Sequence, residues 1–183
     1  MAILKVARLG HPILREVSRP VAPEELSTPE VQGFIDDLVD TMREYDGAGL
    51  AAPQVHNPVR ICLIEVDGNP RYPDFPQIPL TCLVNPEITF LTDQQLRVWE
   101  GCLSVPDLRG LVPRWAKIRV VATDRHGEGI DFVAEGIFAA IVQHECDHLD
   151  GNLFVDRVQD TKTLSFIKEF QRYRADEPHV VTD

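Results

Sequence analysis

The sequence has no apolar run approaching the about 20 residues that a membrane-spanning helix needs. Its N-terminus (Met1-Ala2-Ile3-Leu4-Lys5) lacks the apolar core and small-residue cleavage site of a signal peptide. Positive charge is scarce. Lys and Arg number 18 against 29 Asp and Glu, a formal charge of −11. A body this acidic repels phosphate backbones, which excludes a general nucleic-acid binder. The four cysteines, Cys62, Cys82, Cys102 and Cys146, include no C-x-x-C pair and imply no disulfide framework. Repeats and low-complexity tracts are also absent. The remainder is an ordinary globular composition, with 44% apolar and 26% charged residues over 183 positions. The expectation is one soluble, cytoplasmic, monomeric domain over 1–183, its polar end at about 176–183 frayed.

Pro and Gly divide the chain. Residues 10–29 are rich in proline and read as largely irregular. Val31, Phe34, Ile35, Leu38, Val39 and Met42 then form one apolar stripe at helical spacing. Thr28 and Pro29 start that helix and Asp46-Gly47 stops it. Residues 59–66 read as a buried strand and 69–79 as a proline-rich loop. Strand-like stretches follow at 81–84, 87–91 and 96–99, and 117–124 with 130–135 suggests a hairpin. A second helix is predicted over 136–149 with Gly151 beyond it. A third is predicted over 161–174, with Leu164, Ile167 and Phe170 inward. Strands mixed with a few helices, without β-α alternation, indicate an α+β fold. Mixed or antiparallel sheets would pack around the 136–149 helix, with an N-terminal and a C-terminal helix outside.

That central helix carries Gln143-His144-Glu145-Cys146-Asp147-His148. His residues at i and i+4 share a helix face and can hold one cation. Neutral imidazoles leave that cation able to bring a water's pKa near ~7, and Glu145 is placed to take the proton. Ile137, Phe138, Ala139, Ala140, Ile141 and Val142 precede the motif, so the helix belongs to the core. Buried polar side chains there need partners.

A catalytic site of this kind takes three protein ligands and leaves one position open. Phe154 stands where metzincins place a third histidine, and Glu169 lies in a charged helix that reads as solvated. Cys102, in Trp99-Glu100-Gly101-Cys102-Leu103-Ser104-Val105-Pro106, is the upstream candidate. A thiolate with two imidazoles admits ferrous iron as well as zinc. A cysteine nucleophile with a histidine base is the competing use of the same thiol. A third stretch, Gly47-Ala48-Gly49-Leu50-Ala51-Ala52-Pro53-Gln54, permits close approach to its backbone. Its Gln54 amide suits a developing oxyanion.

Taken in order, G-A-G-L-A-A-P-Q (47–54), E-G-C-L-S (100–104) and Q-H-E-C-D-H-L-D-G (143–151), with His11-Pro12-Ile13-Leu14-Arg15, resemble the peptide deformylase family over about residues 3–170. The resemblance implies removal of the formyl group from formyl-methionine at the start of new polypeptides. It implies Cys102, His144 and His148 as ligands, usually of Fe2+, with Zn2+, Ni2+ or Co2+ also accepted. Glu145 would be the general base and acid, and Gln54 with the Leu103 N–H the oxyanion donors. Ile137, Ala140 and Ile141 share the His144 face and would line a methionine pocket. Backbone groups of Gly47, Gly49 and Leu50 would pair with the substrate chain as an added strand. Glu100 and Arg114 would form a supporting ion pair. The implied partners are formyl-Met nascent peptides and the ribosome near its exit tunnel, with no nucleic acid and no membrane. Two alternatives compete. A zincin-type metallopeptidase needs a downstream ligand, and a closed non-catalytic metal module needs a fourth, from Asp147, Cys146 or His11.

Overall fold

The structure, a computed structural model, describes residues 2–68, 75–174 and 176–181. The first long helix, α1 (Pro29–Glu44), begins as its sequence demands. Thr28 Oγ1 accepts the Val31 N–H at 3.4 Å and Pro29 fills the first turn. Its stripe of Ile35, Leu38, Val39 and Met42 is buried against Leu50, Ile61, Leu63 and Val84.

Those partners belong to an antiparallel five-stranded sheet ordered β1 (Gly49–Ala51), β2 (Ile61–Val66), β3 (Ile78–Phe90), β6 (Lys117–Thr123) and β7 (Gly129–Glu135). Side chains alternate between faces of a strand. On β2, Ile61 and Leu63 therefore face α1, while Cys62 and Ile64 face the opposite side. There they meet Ala139, Val142, Cys146 and Leu149 of α2 (Gly136–Leu149). With a helix on each face, β2 is apolar without alternation. Truncating Leu63 to Ala in this packing costs about 2–5 kcal/mol. A second sheet, ordered β8 (Ser165–Phe166), β5 (Val105–Trp115), β4 (Gln95–Cys102) and β9 (Val180–Val181), is antiparallel throughout. The β4–β5 register shifts between Glu100 and Cys102. Bulges of this kind re-aim side chains beside active sites.

The α+β architecture and the central α2 follow the sequence reading, and the structure corrects several local expectations. Residues 105–115 form a long strand that went unread because Pro106, Gly110 and Pro113 look like breakers. β5 has a strand on its outer side only at Leu108 and Arg109, so both prolines avoid the stretch paired on both sides. The stretches 81–84 and 87–91 are one strand, β3, interrupted by a register shift around Asn85 at φ 52°. The third helix is shorter than 161–174. A 3-10 turn at Thr161–Thr163 and β8 precede α3 (Ile167–Tyr173), in which Phe170 is buried. The end expected to fray returns as β9, with Val180 opposite Val98. Of the 69–79 loop, residues 69–74 lie outside the described residues, and β3 already begins at Ile78. Among the described residues no helix is long and apolar enough to cross a membrane.

Candidate metal centre

α2 starts from Gly136 and continues two apolar turns before the polar motif. It ends at Leu149, and Gly151 turns the chain away at φ 74°. A Cβ at Gly151 would stand 2.8 Å from the Arg15 carbonyl oxygen, so glycine is required for both conformation and space. The helical spacing brings His144 and His148 together, with ring centroids 5.0 Å apart. The end of β4 delivers Cys102, whose Sγ lies 3.3 Å from His148 Nε2. One ligand atom from each of Cys102, His144 and His148 falls within 4.8 Å of the others. The Cys102 thiol is buried, at 4% exposure.

Each donor is held from behind. His144 Nδ1 lies 2.7 Å from Glu100 Oε2, which leaves Nε2 for the centre. Arg114 grips both Glu100 oxygens, at 2.6 and 2.9 Å, so the expected pair is present. Its remaining arm reaches Asp147 at 2.6 Å, and Asp147 also accepts from Arg157 at 2.7 Å. The Ser104 N–H points at Cys102 Sγ from 3.4 Å, and Gln54 Nε2 donates to Ser104 Oγ at 3.1 Å. Gln54 Nε2 also lies 3.5 Å from Cys102 Sγ, while its Oε1 accepts the Ala51 N–H at 2.8 Å. The glutamine is thus fixed at both ends with its amide aimed at the thiol.

Two buried polar atoms in this cluster, Glu145 Oε2 and His148 Nδ1, find no partner among the described residues. An unpartnered carboxylate beside a sulfur and two rings is the arrangement that a cation with its water completes. The donor set therefore fits one divalent ion. Burial also sorts the protonation states. It lowers the His148 pKa well below the usual histidine value, assisted by the neighbouring His144, which keeps the ring neutral and ligand-competent. Burial alone would raise Glu100, but Arg114 overrides it and holds that carboxyl at about 2. Burial raises Glu145 to about 7, against a weaker opposing pull from His144.

A cavity opens over this cluster. Its polar side carries Gln54, Glu100, Cys102, His144 and Glu145, and its apolar side Phe75, Val98, Trp99, Ile137, Ala140 and Ile141. The segment Gly47–Gly49 and Leu103 complete the rim. A Cβ on Gly49 would lie 2.3 Å from Glu145 Oε1, so the backbone passes against the carboxylate.

The structure thus brings together the expected ligands, Glu145, Gln54, Leu103, Gly47, Gly49 and the three apolar α2 residues. The Leu50 side chain is fully buried in the α1 core and does not line the cavity, so only its backbone is left for the strand pairing expected of it. His11, a candidate fourth ligand, instead caps the turn at Pro12–Arg15. Cys146 packs in the core with Cys62, and Asp147 is occupied by two arginines. Sequence reasoning missed Asp147 as an anchor for Arg114, although it lies three residues past His144 beside a buried arginine. It also missed Ser104, Phe75, Val98 and Trp99, whose approach depends on the two sheets meeting.

A water-accepting carboxylate beside a Cys-His-His set, at the floor of a half-apolar cleft, defines a metal-dependent hydrolase. Comparison with known proteins narrows that class. The family model for polypeptide deformylase matches residues 3–164. Peptide deformylase 2 of Ralstonia nicotianae is 46% identical over 164 residues, covering 90% of this chain and 92% of that one. Peptide deformylase 1 of Prochlorococcus marinus is 45% identical, covering 93% and 88%. Among solved structures, the Met-Ala-Ser-bound class I type b peptide deformylase from Acinetobacter baumannii superposes with a TM-score of 0.83 at 41% identity, covering 86% of this chain and 99% of that one. The Synechococcus elongatus peptide deformylase in complex with actinonin gives 0.78 at 31% identity, covering 96% and 87%. The chain belongs to the polypeptide deformylase family, and its centre is that of a hydrolase rather than of a closed metal module.

Proposed function

We propose that this chain, acting as one catalytic domain in the cytoplasm, hydrolyses the formyl amide of formyl-methionyl nascent peptides. The observation that carries the reading is the unpartnered Glu145 Oε2, buried beside Cys102, His144 and His148. Those three side chains would hold one divalent cation, ferrous iron by the family resemblance, which when bound acidifies water and polarises the formyl oxygen. Glu145 takes the proton of the attacking water on Oε2. Gln54 Nε2 and the Leu103 N–H donate to the oxygen that gains charge as the carbon becomes tetrahedral. Glu145 then returns its proton to the leaving amine, the C–N bond breaks, and formate and a free methionine N-terminus separate. Gly47 and Gly49 offer backbone groups to the peptide, while Ile137, Ala140 and Ile141 receive the first side chain.

The test is formate release from formyl-Met-Ala-Ser by protein loaded with Fe2+ under anaerobic conditions, with metal counted per chain. Turnover at about one ion per chain, with Met-Ala-Ser left intact, supports the reading. Cleavage of the peptide bond without formate would return it to the zincin alternative. Loss of bound metal in Cys102→Ser, but not in Glu169→Gln, supports the assigned third ligand.

A further inference from the structure

The strand β9 lies outside the residues shared with the family model, which end at 164. Its place is nevertheless close to the cleft. β4 carries β5 on one edge and β9 on the other. The Trp99 N–H donates to the His179 carbonyl at 3.0 Å, and the Trp99 indole N–H donates to Glu177 at 3.2 Å. The His179 ring meets the edge of Phe75 at a centroid distance of 5.4 Å. Val180 packs on a small apolar cluster of Leu96, Val98 and Ala140, joined by Ile137.

Phe75, Val98, Trp99, Ile137 and Ala140 all line the cavity over the ligands, whereas Val180 stands one layer behind. The wall that receives the first side chain is therefore backed by the chain's own end. We propose that β9, through Val180, fixes the depth of that pocket and so selects a side chain of methionine length. Val180 is a positioning residue, since it acts through Val98 and Ala140 and touches no reacting atom. Packed walls hold the lining in place, so the two methyls removed from the backing layer by Val180→Ala let it recede. The inference rests on the deformylase reading of the cleft.

The experiment measures kcat and KM of the full chain on formyl-Met-Ala-Ser, formyl-Phe-Ala-Ser and formyl-Ala-Ala-Ser. For Val180→Ala the expected result is a KM for the methionine substrate raised about 3–10-fold with kcat unchanged. The preference for methionine over phenylalanine should shrink by a similar factor, and the alanine substrate should be unaffected. Val180→Ile should shift the preference the other way. Glu177→Gln, which weakens the Trp99 contact and the neighbouring Arg174–Glu177 ion pair, gives a milder form of the Val180→Ala pattern and serves if that variant melts early. Equal losses on all three substrates, or unchanged preferences, would overturn the inference while leaving the deformylase function standing. Absence of formate from the wild type would overturn both.

Discussion

Glu100 and Glu145 are the same residue type, buried to nearly the same extent at 7% and 4% exposure, and both neighbour His144, one through a hydrogen bond to its ring and one along the helix. Their surroundings set them apart. Glu100 sits in a network of His144, Arg114, Asp147 and Arg157 in which both its oxygens are occupied. Glu145 has the cavity before it and one oxygen unpaired. Arg114 holds the first carboxyl at about 2, and burial lifts the second to about 7. A fold can thus build an immobile anchor and a proton carrier from one side-chain type by choosing which is satisfied. The pairs Arg119–Asp131 and Lys117–Glu135, exposed on β6 and β7, mark the opposite extreme, where solvent screens the charge.

Breaking each side of this contrast gives graded outcomes. Glu145→Ala should remove nearly all turnover while leaving metal content and thermal midpoint intact, because the carboxylate supports chemistry rather than packing. Retained activity would take Glu145 out of its role. Gln54→Ala removes one donor to the developing charge, and kcat should drop about 10²–10³-fold. Arg114→Met strands Glu100 and Asp147 without their shared cation. Breaking a buried ion-pair network in this way costs about 3–5 kcal/mol, readable by urea denaturation. Glu100→Gln should weaken metal affinity about 10–100-fold with a smaller loss of stability, measured by competition with a chelator. Asp131→Asn should change neither melting nor turnover, and a clear shift in either would show that the exposed pairs matter more than screening allows.

Much of this site was legible from the sequence because its chemistry is local. His144, Glu145 and His148 sit within two helical turns, so helical spacing places them, and Gly49 and Gln54 sit within one short stretch of chain. Cys102 was reached by excluding Phe154 and Glu169. What escaped depends on distant segments meeting. β5 is hidden by its own prolines, which a strand tolerates away from the stretch paired on both sides and a residue-by-residue scan does not. Only the backbone of Leu50 is expected at the cleft, and the one-residue alternation of β1 turns its side chain into the core. The closing strand could not be read from a polar tail whose only apolar pair is Val180 and Val181. Its burial comes from the groove waiting for it beside Val98.

The register shift at Gly101 also has a thermodynamic side. It turns a hairpin's sulfur toward a helix of the other layer, so an ion gripped there would rivet two parts of the molecule already joined by the Glu100–His144 and Arg114–Asp147 contacts. Chelation should then soften the whole fold, and each tenfold excess of free ion over its dissociation constant should add about 1.4 kcal/mol against unfolding.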